Sequence, residues 1–240
     1  LIASSWHLPF GNVLWDAGLS LAKFFVWQET FGDQLSVRGK RILELGSGTG
    51  VVGLTLASLG ATVTLTDNQP ETLRLMQRNI EANSMQQGAT VHALDWADES
   101  TYLACSSFDI VVAADVLYEN DGAPFAKALQ AHLAWRDGVQ AFLSYIYRAD
   151  TPLHFFEAIL AAGMRIERLE DSAGRVRGSV SGQPPCVFDG SCFVELSADL
   201  CLDRIRNADF HGDNQFNTQI FRIGWPDMLE EELQWELGFQ

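Results

Sequence analysis

The first residues that could do chemistry form a glycine-rich loop, residues 44–50, with the sequence Glu-Leu-Gly-Ser-Gly-Thr-Gly. A loop that turns tightly and brings its backbone close to a ligand needs residues without a Cβ atom, and glycine supplies them. Together with Gly53, the loop also satisfies the Gly-x-Gly-x-x-Gly pattern of dinucleotide-binding proteins, which is a weak signal on its own. The segment predicts a cradle for a nucleotide-like ligand.

Acidic residues follow the next two predicted strands. Asp67 ends the second strand, ahead of Asn68, and its carboxylate can accept hydrogen bonds from both hydroxyls of a ribose. An isolated Asp at a strand end is more commonly a turn or cap residue, but its register with the glycines favours ligand binding. After the third strand, the Asp95 carboxylate can accept an exocyclic amine, and the Trp96 indole can pack on a purine. These residues predict adenosine binding and leave the cofactor open, since NAD enzymes also carry such an acid.

Asp115 and Tyr118 follow a fourth, almost wholly apolar strand, residues 108–113. The carboxyl ends of parallel strands form the ligand-binding edge of an open sheet. We therefore expect both side chains to lie beside the bound ligand.

The elements that must position these residues alternate between strand and helix patterns. The alternation predicts an α/β fold with a mostly parallel sheet and helices on both faces. The predicted strands are 41–45, 61–66, 90–94, 108–113, 139–145, 164–169, 186–196 and 219–223, and the predicted helices are 14–31, 51–59, 71–82, 124–135 and 153–162. We divide the chain into an N-terminal helical cap, residues 1–35, and a second unit, residues 36–240, with an insertion at about 171–217 before the last strand.

Three motifs resemble the seven-strand protein lysine methyltransferases. The Glu-x-Gly-x-Gly-x-Gly run resembles the first methyltransferase motif, residues 115–118 resemble the family's Asp-x-x-Tyr signature, and residues 11–18 resemble its N-terminal Gly-x-x-x-Trp element. The resemblance covers roughly residues 11–169. It implies a Rossmann-like, seven-stranded sheet whose final strand is antiparallel, S-adenosylmethionine as cofactor, and methyl transfer to a protein side chain, most simply lysine. The long segment 171–217 departs from the family pattern and bears on the substrate.

The resemblance also implies a role for each matching residue. Trp15 closes over the cofactor, Asp67 holds the ribose, and Trp96 meets the adenine. Asp115 and Tyr118 accept hydrogen bonds from the substrate amine and orient its lone pair. The predicted cofactor-binding set is Trp15, Glu44, Gly46, Ser47, Gly48, Asp67, Asn68, Asp95, Trp96 and Ala114.

The net charge of the chain limits the classes of molecule that it can bind. The chain has 16 Lys and Arg against 31 Asp and Glu, a formal net charge of −15, which argues against binding to nucleic acid and favours a substrate with a basic, lysine-bearing surface. The four cysteines form no Cys-x-x-Cys pair, and we expect no metal site. No apolar run approaches the roughly 18 residues of a membrane span, and no signal peptide is evident. We expect a monomer in the cytoplasm, or also in the nucleus, and Leu1 in place of Met indicates that the sequence begins inside a longer protein.

Other functions stay open at this stage. The acceptor could be histidine, arginine or a small-molecule amine, with RNA disfavoured by the acidic balance. A methyltransferase-like binding subunit without turnover is a second class, although a decayed site would have lost some of the motif residues. An NAD-linked oxidoreductase is a third class, and Glu44 together with the Asp115-x-x-Tyr118 pair argues against it.

Overall fold

Regular structure follows from the hydrophobic patterns along the chain. The computed structural model describes residues 10–31, 35–103, 108–117, 122–133, 138–146, 153–169, 186–188, 193–195 and 218–225. In these parts the helices are α1 (Asp16–Phe31), α2 (Val51–Ser58), α3 (Pro70–Ala82), α4 (Ala123–Leu133) and α5 (Leu153–Ala161). The strands are β1 (Arg41–Glu44), β2 (Thr62–Asp67), β3 (Ala89–Ala93), β4 (Ile110–Ala114), β5 (Gln140–Ile146), β6 (Arg165–Leu169), β7 (Cys186–Phe188), β8 (Phe193–Glu195) and β9 (Thr218–Gly224).

All these strands belong to one sheet, in the order β3-β2-β1-β4-β5-β9-β6-β7-β8. Strands β3, β2, β1, β4 and β5 pair in parallel, and β9 lies antiparallel between β5 and β6. The strand order reverses at β1, between β2 and β4, and open α/β sheets bind their ligands at such a switch point. The predicted fold class is confirmed: six parallel strands and an antiparallel last strand form the seven-stranded, Rossmann-like core.

Helices cover both faces of the sheet. Helices α1, α2 and α3 pack on one face, whose core includes Phe25, Leu56, Leu65 and Met76. Helices α4 and α5 cover the other, where Phe125, Phe155 and Phe221 are buried. Burying a side chain of this size stabilises the fold by about 1.5–3 kcal/mol relative to leaving it exposed. The two hydrophobic layers therefore hold the central strands, and with them the carboxyl edge, in fixed positions.

Helix α1 lies directly on the sheet, where Phe24 and Phe25 pack against Phe142 of β5 with ring centroids 5.9 and 5.3 Å apart. The Ser144 hydroxyl on β5 also donates a hydrogen bond of 2.8 Å to the Ala17 carbonyl, in the first turn of the helix. The division of the chain at residue 35 stays a prediction. In the part of the chain that the structure describes, no helix is both long and apolar enough to cross a membrane.

The predicted strand at residues 186–196 is wrong in its extent. The structure has two three-residue strands there, β7 and β8, which pair antiparallel and extend the sheet beyond β6. The Asp189-Gly190 pair between them is a sequence that favours hairpin turns, and this signal was available in the chain. The rest of the predicted insertion at 171–217, and the acidic stretch after Trp225, lie outside the described residues.

Candidate active site

The glycine loop between β1 and α2 has the geometry that its composition predicts. Gly46, Gly48 and Gly50 have φ angles of +67°, +54° and +78°, in the left-handed region that side chains disfavour. A Cβ atom at Gly46 would lie 2.8 Å from the Trp96 ring, and one at Gly48 would lie 3.0 Å from the Gly11 carbonyl oxygen. Packed neighbours therefore leave little room for a side chain at either position, and the loop conformation favours glycine.

The side chains of Glu44 and Ser47 support the glycine loop through hydrogen bonds. The Glu44 carboxylate is buried and accepts a hydrogen bond of 2.9 Å from the Gly53 amide at the start of α2. Burial raises the pKa of Glu44 to about 8, although the hydrogen bonds from Gly53 and Ser47 oppose the shift. The Ser47 hydroxyl accepts from the Thr66 amide at 2.9 Å and donates to the Glu44 carbonyl, which ties β1 to β2. In this structure both side chains brace the loop, and a direct cofactor contact for either stays a prediction.

Asp67 joins the glycine loop to the end of β2. One carboxylate oxygen accepts from the Gly48 amide at 3.3 Å and the other from the Gln69 amide at 3.0 Å. Burial raises the pKa of Asp67, while these amides favour its charged form. Asn68 is exposed and donates to the Asp95 carboxylate at 3.4 Å. Asp67 thus presents a half-buried carboxylate beside the glycine loop, and its contact with a ribose stays a prediction.

Asp95 and Trp96 lie in the loop after β3, at the same edge. The Asp95 carboxylate accepts from the Ala97 amide at 2.9 Å and is partly exposed. The Trp96 ring is turned inward, edge-on to Phe125 at 5.1 Å between centroids, and lies against Gly46. The indole therefore contacts the glycine loop, and its stacking on adenine stays a prediction.

Asp115 follows the last residue of β4, Ala114, with a φ angle of +56°. Asp tolerates this left-handed conformation better than most residues, and the bend lets a residue at the strand end turn out of the sheet plane. Its amide donates to the Ser144 carbonyl of β5 at 2.7 Å, and the residue is buried. Tyr118, its predicted partner, lies outside the described residues.

The N-terminal segment runs beside the glycine loop. Trp15 is partly exposed just before α1. Gly11 packs so closely that a Cβ atom there would lie 2.8 Å from the Thr72 hydroxyl of α3 and 3.6 Å from the Asp67 carboxylate. The chain therefore brings the predicted Gly-x-x-x-Trp element to the glycine loop and Asp67.

Three residues that shape this edge were missed by sequence reasoning. Thr101 bonds to the Asp95 backbone, Tyr102 donates to the Trp96 carbonyl, and the His132 ring contacts both Tyr102 and the Leu103 amide. His132 lies on α4, far from this loop in sequence, so no spacing pattern could have connected them. A weak local signal was the Asp98-x-Ser100 pair, which is typical of a helix N-cap.

Charges divide between the two edges of the sheet. Asp67, Asp95 and Asp115 lie at the carboxyl edge, whereas Lys40, Arg41 and Arg165 lie at the amino edge, where Arg41 pairs with Asp109. The candidate site therefore has an acidic surrounding. Among the described residues, no group of three His, Cys, Asp or Glu could hold a metal ion.

Comparison with solved structures shows the fold. The magnesium protoporphyrin IX methyltransferase of Synechocystis, solved with bound S-adenosylmethionine, matches with a TM-score of 0.53 at 13% identity, over 93% of this chain and 87% of that one. At this identity the match shows a methyltransferase-type fold and carries nothing on the substrate. A methyltransferase-type fold agrees with the reversal of strand order at β1.

Comparison with known sequences shows the family. EEF1A lysine methyltransferase 3 of Xenopus tropicalis is 37% identical over 156 residues, which cover 64% of this chain and 66% of the relative. Protein N-lysine methyltransferase METTL21A of Danio rerio is 31% identical over 142 residues, which cover 58% and 62%. The chain thus spans slightly less than two thirds of the length of these relatives. The profile of the family described as lysine methyltransferase matches residues 2–162, and on this match the chain belongs to the lysine methyltransferase family.

Proposed function

We propose that this chain transfers a methyl group from S-adenosylmethionine to a lysine side chain of a protein substrate. The observation that carries the proposal is the convergence of four motifs at one sheet edge. The adjacent strands β3, β2, β1 and β4 bring together the Asp95 loop, Asp67, the glycine loop and Asp115. The chain belongs to the lysine methyltransferase family, which supports reading this edge as the place where a methyl donor and an amine acceptor meet.

The residues present fit S-adenosylmethionine. Glycines 46 and 48 carry no side chain and have left-handed backbone, so a ligand can approach the loop backbone closely, which suits the methionine end. Asp67 offers carboxylate oxygens to the ribose hydroxyls, and Asp95 offers a carboxylate to the exocyclic amine of adenine. Trp15 and the backbone at Ala114 would complete the pocket, since both lie at this edge.

When bound, the cofactor supplies an electrophilic methyl group on a sulfonium cation. The work left to the chain is to orient the acceptor amine and to remove water from it. A lysine ammonium has an ordinary pKa of about 10.4, and a neighbouring cation disfavours that charged form. Asp115 would accept a hydrogen bond from the amine and direct its lone pair, and Tyr118 would share this role.

The charge distribution supports a basic substrate surface. The carboxyl edge carries Asp67, Asp95 and Asp115, and the whole chain has a formal net charge of −15. Opposite charges speed the encounter of two proteins and fix their orientation. One relative is named as a methyltransferase of EEF1A, and for this chain we propose a protein with a lysine-bearing, basic surface. We propose a monomer of the cytoplasm or also the nucleus, without affinity for nucleic acid or membranes.

Calorimetric binding tests the cofactor. S-adenosylmethionine and S-adenosylhomocysteine should bind the wild-type protein in the micromolar range, and NAD should not bind. Asp67→Ala should weaken binding about 10- to 100-fold, because it removes charge-assisted hydrogen bonds to the ribose. Equal binding by wild type and variant, or binding of NAD alone, would contradict the proposal.

Methyl transfer tests the acceptor. Incubation of a cell lysate with radiolabelled S-adenosylmethionine and the wild-type protein should label a protein on lysine, and raising the ionic strength should slow the labelling. Asp115→Asn, which keeps a residue tolerant of the left-handed conformation, should bind cofactor normally and lose most of the transfer. Cofactor binding without any transfer would indicate a binding subunit, and label on histidine, arginine or a small molecule would correct the acceptor.

A further inference from the structure

The loop after β3, residues 94–103, is held by hydrogen bonds between its own residues. The Asp95 amide donates to the Thr101 hydroxyl at 2.9 Å, and this hydroxyl donates to the Asp98 carbonyl at 2.7 Å. The Asp98 carboxylate accepts from the Ser100 amide at 3.0 Å. These bonds close the loop on itself, so its shape does not depend on a ligand.

Tyr102 fixes the peptide that follows Asp95. Its hydroxyl donates a short hydrogen bond, 2.6 Å, to the Trp96 carbonyl. Burial and the nearby Glu99 carboxylate raise the pKa of Tyr102, so the hydroxyl keeps the proton that it donates. The Trp96 ring is at the same time wedged between Phe125 and Gly46. The backbone at Asp95 and Trp96 is thus held from two sides.

His132 anchors this arrangement to helix α4. Its Nδ1 lies 2.7 Å from the Ala128 carbonyl, which can only accept, so Nδ1 carries the proton and Nε2 has a free lone pair. That lone pair accepts from the Leu103 amide at 3.3 Å, and the imidazole packs on the Tyr102 ring at 5.4 Å between centroids. His132 is buried, and burial lowers its pKa, which favours the neutral ring that these two bonds require.

We propose that Tyr102 and His132 are positioning residues for the adenine end of the cofactor, acting through Asp95 and the Trp96 peptide. The inference rests on the proposed function, in which the Asp95 carboxylate accepts from the adenine amine. A carboxylate discriminates between bases only when it is held still, because a mobile loop can rearrange to suit either pattern of donors and acceptors. Tyr102 and His132 supply that rigidity through their hydrogen bonds with the Trp96 carbonyl and the Leu103 amide.

The test compares two nucleosides. S-adenosylhomocysteine presents an amine donor to Asp95, whereas its deaminated analogue, S-inosylhomocysteine, presents a carbonyl acceptor at the same atom. Calorimetry measures both dissociation constants for wild type, Tyr102→Phe, His132→Ala and His132→Gln. Tyr145→Phe is the matched control, since Tyr145 is buried on β5, where its ring stacks on Phe221 of β9.

Wild type should prefer S-adenosylhomocysteine, and Tyr102→Phe should reduce that preference about three- to ten-fold, as expected for one lost hydrogen bond. His132→Ala should reduce it at least as much, and His132→Gln, which offers an amide oxygen to the Leu103 amide, should restore part of it. In the transfer assay, Tyr102→Phe should raise the KM for the methyl donor and leave kcat nearly unchanged. Tyr145→Phe should keep the wild-type preference.

Two results would overturn this inference and leave the proposed function standing. One is a wild type that binds both nucleosides equally, and the other is a Tyr102→Phe variant that retains the full preference. A wild type that binds neither nucleoside would overturn the proposed function as well. The measured quantity is the ratio of two dissociation constants within one protein. A general loss of stability weakens the binding of both nucleosides and leaves their ratio unchanged.

Discussion

The loop after β1 and the loop after β3 meet at the same edge of the sheet, yet different forces hold them. The first is shaped by three left-handed glycines and supported by the buried carboxylate of Glu44. The second contains no glycine and is shaped by hydrogen bonds that the side chains of Thr101, Tyr102 and His132 make with its backbone. One loop therefore depends on the absence of side chains, and the other depends on their presence.

This difference predicts how strongly a substitution in each loop destabilises the protein. In the glycine loop a single added methyl group collides with packed atoms, so the cost is steric and large. In the loop after β3 a deleted polar group removes one hydrogen bond among several, so the cost is moderate and local. Single substitutions in and around the two loops should therefore differ in their cost.

Gly53→Ala, in the first turn of α2 where Glu44 supports the glycine loop, should lower the stability most. The new Cβ atom would lie 2.5 Å from the Glu44 carboxylate and 3.0 Å from the Leu65 side chain, so the carboxylate or α2 must move. We expect the free energy of unfolding in urea to fall by about 3 kcal/mol. Gly88→Ala is the control, because its Cβ atom would have no neighbour closer than 3.6 Å, and it should change stability by less than about 1 kcal/mol. Equal effects at the two positions would contradict the steric account.

Glu44→Gln should change how stability depends on pH. The pKa of Glu44 rises from 4.5 to about 8 on folding, so the folded state binds an extra proton between these values. Stability from this group is therefore lost as pH rises through that window. The variant has no proton to lose and can still accept from the Gly53 amide, so it should gain about 3 kcal/mol over wild type between pH 5 and pH 8. Urea unfolding at both pH values measures the difference, and a pH-independent difference would refute the buried, protonated carboxyl.

Thr101→Val should loosen the loop after β3 at constant side-chain shape. The substitution removes the acceptor of the Asp95 amide and the donor to the Asp98 carbonyl. We expect a loss of about 1 kcal/mol in the free energy of unfolding and a few-fold weaker binding of S-adenosylhomocysteine. Thr90→Val, at an exposed position on β3, is the matched control and should leave the affinity unchanged. Unaltered affinity in Thr101→Val would show that the loop keeps its shape by other contacts.

Lys127→Ala should have the smallest effect. Lys127 pairs with Glu99 of the same loop at 2.5 Å, but both side chains are more than half exposed. Water and salt screen such pairs, so we expect neither the unfolding midpoint nor the nucleoside preference to change measurably. A clear drop in either at low salt would mean that this ion pair, and not only Tyr102 and His132, holds the loop to α4.

The glycine loop and the fold class could be predicted from the sequence because their signals are local. A left-handed backbone next to a packed strand admits almost only glycine, so the Gly46–Gly50 run identifies the loop directly. Alternating strand and helix patterns imply parallel pairing, and parallel pairing places Asp67, Asp95 and Asp115 at one edge. The fold class and the meeting of Asp67, Asp95 and Asp115 at the carboxyl edge thus follow from the sequence alone.

Only the tertiary structure decided how those residues are used. Glu44 points to the base of α2, the Trp96 ring packs inward against Phe125, and the loop of Asp95 is fastened to His132 on α4. The short pairing of β7 with β8 was likewise settled by the sheet, which offered the edge of β6. Side-chain direction and contacts between distant segments depend on what space the packed core leaves free, and no residue spacing encodes that space.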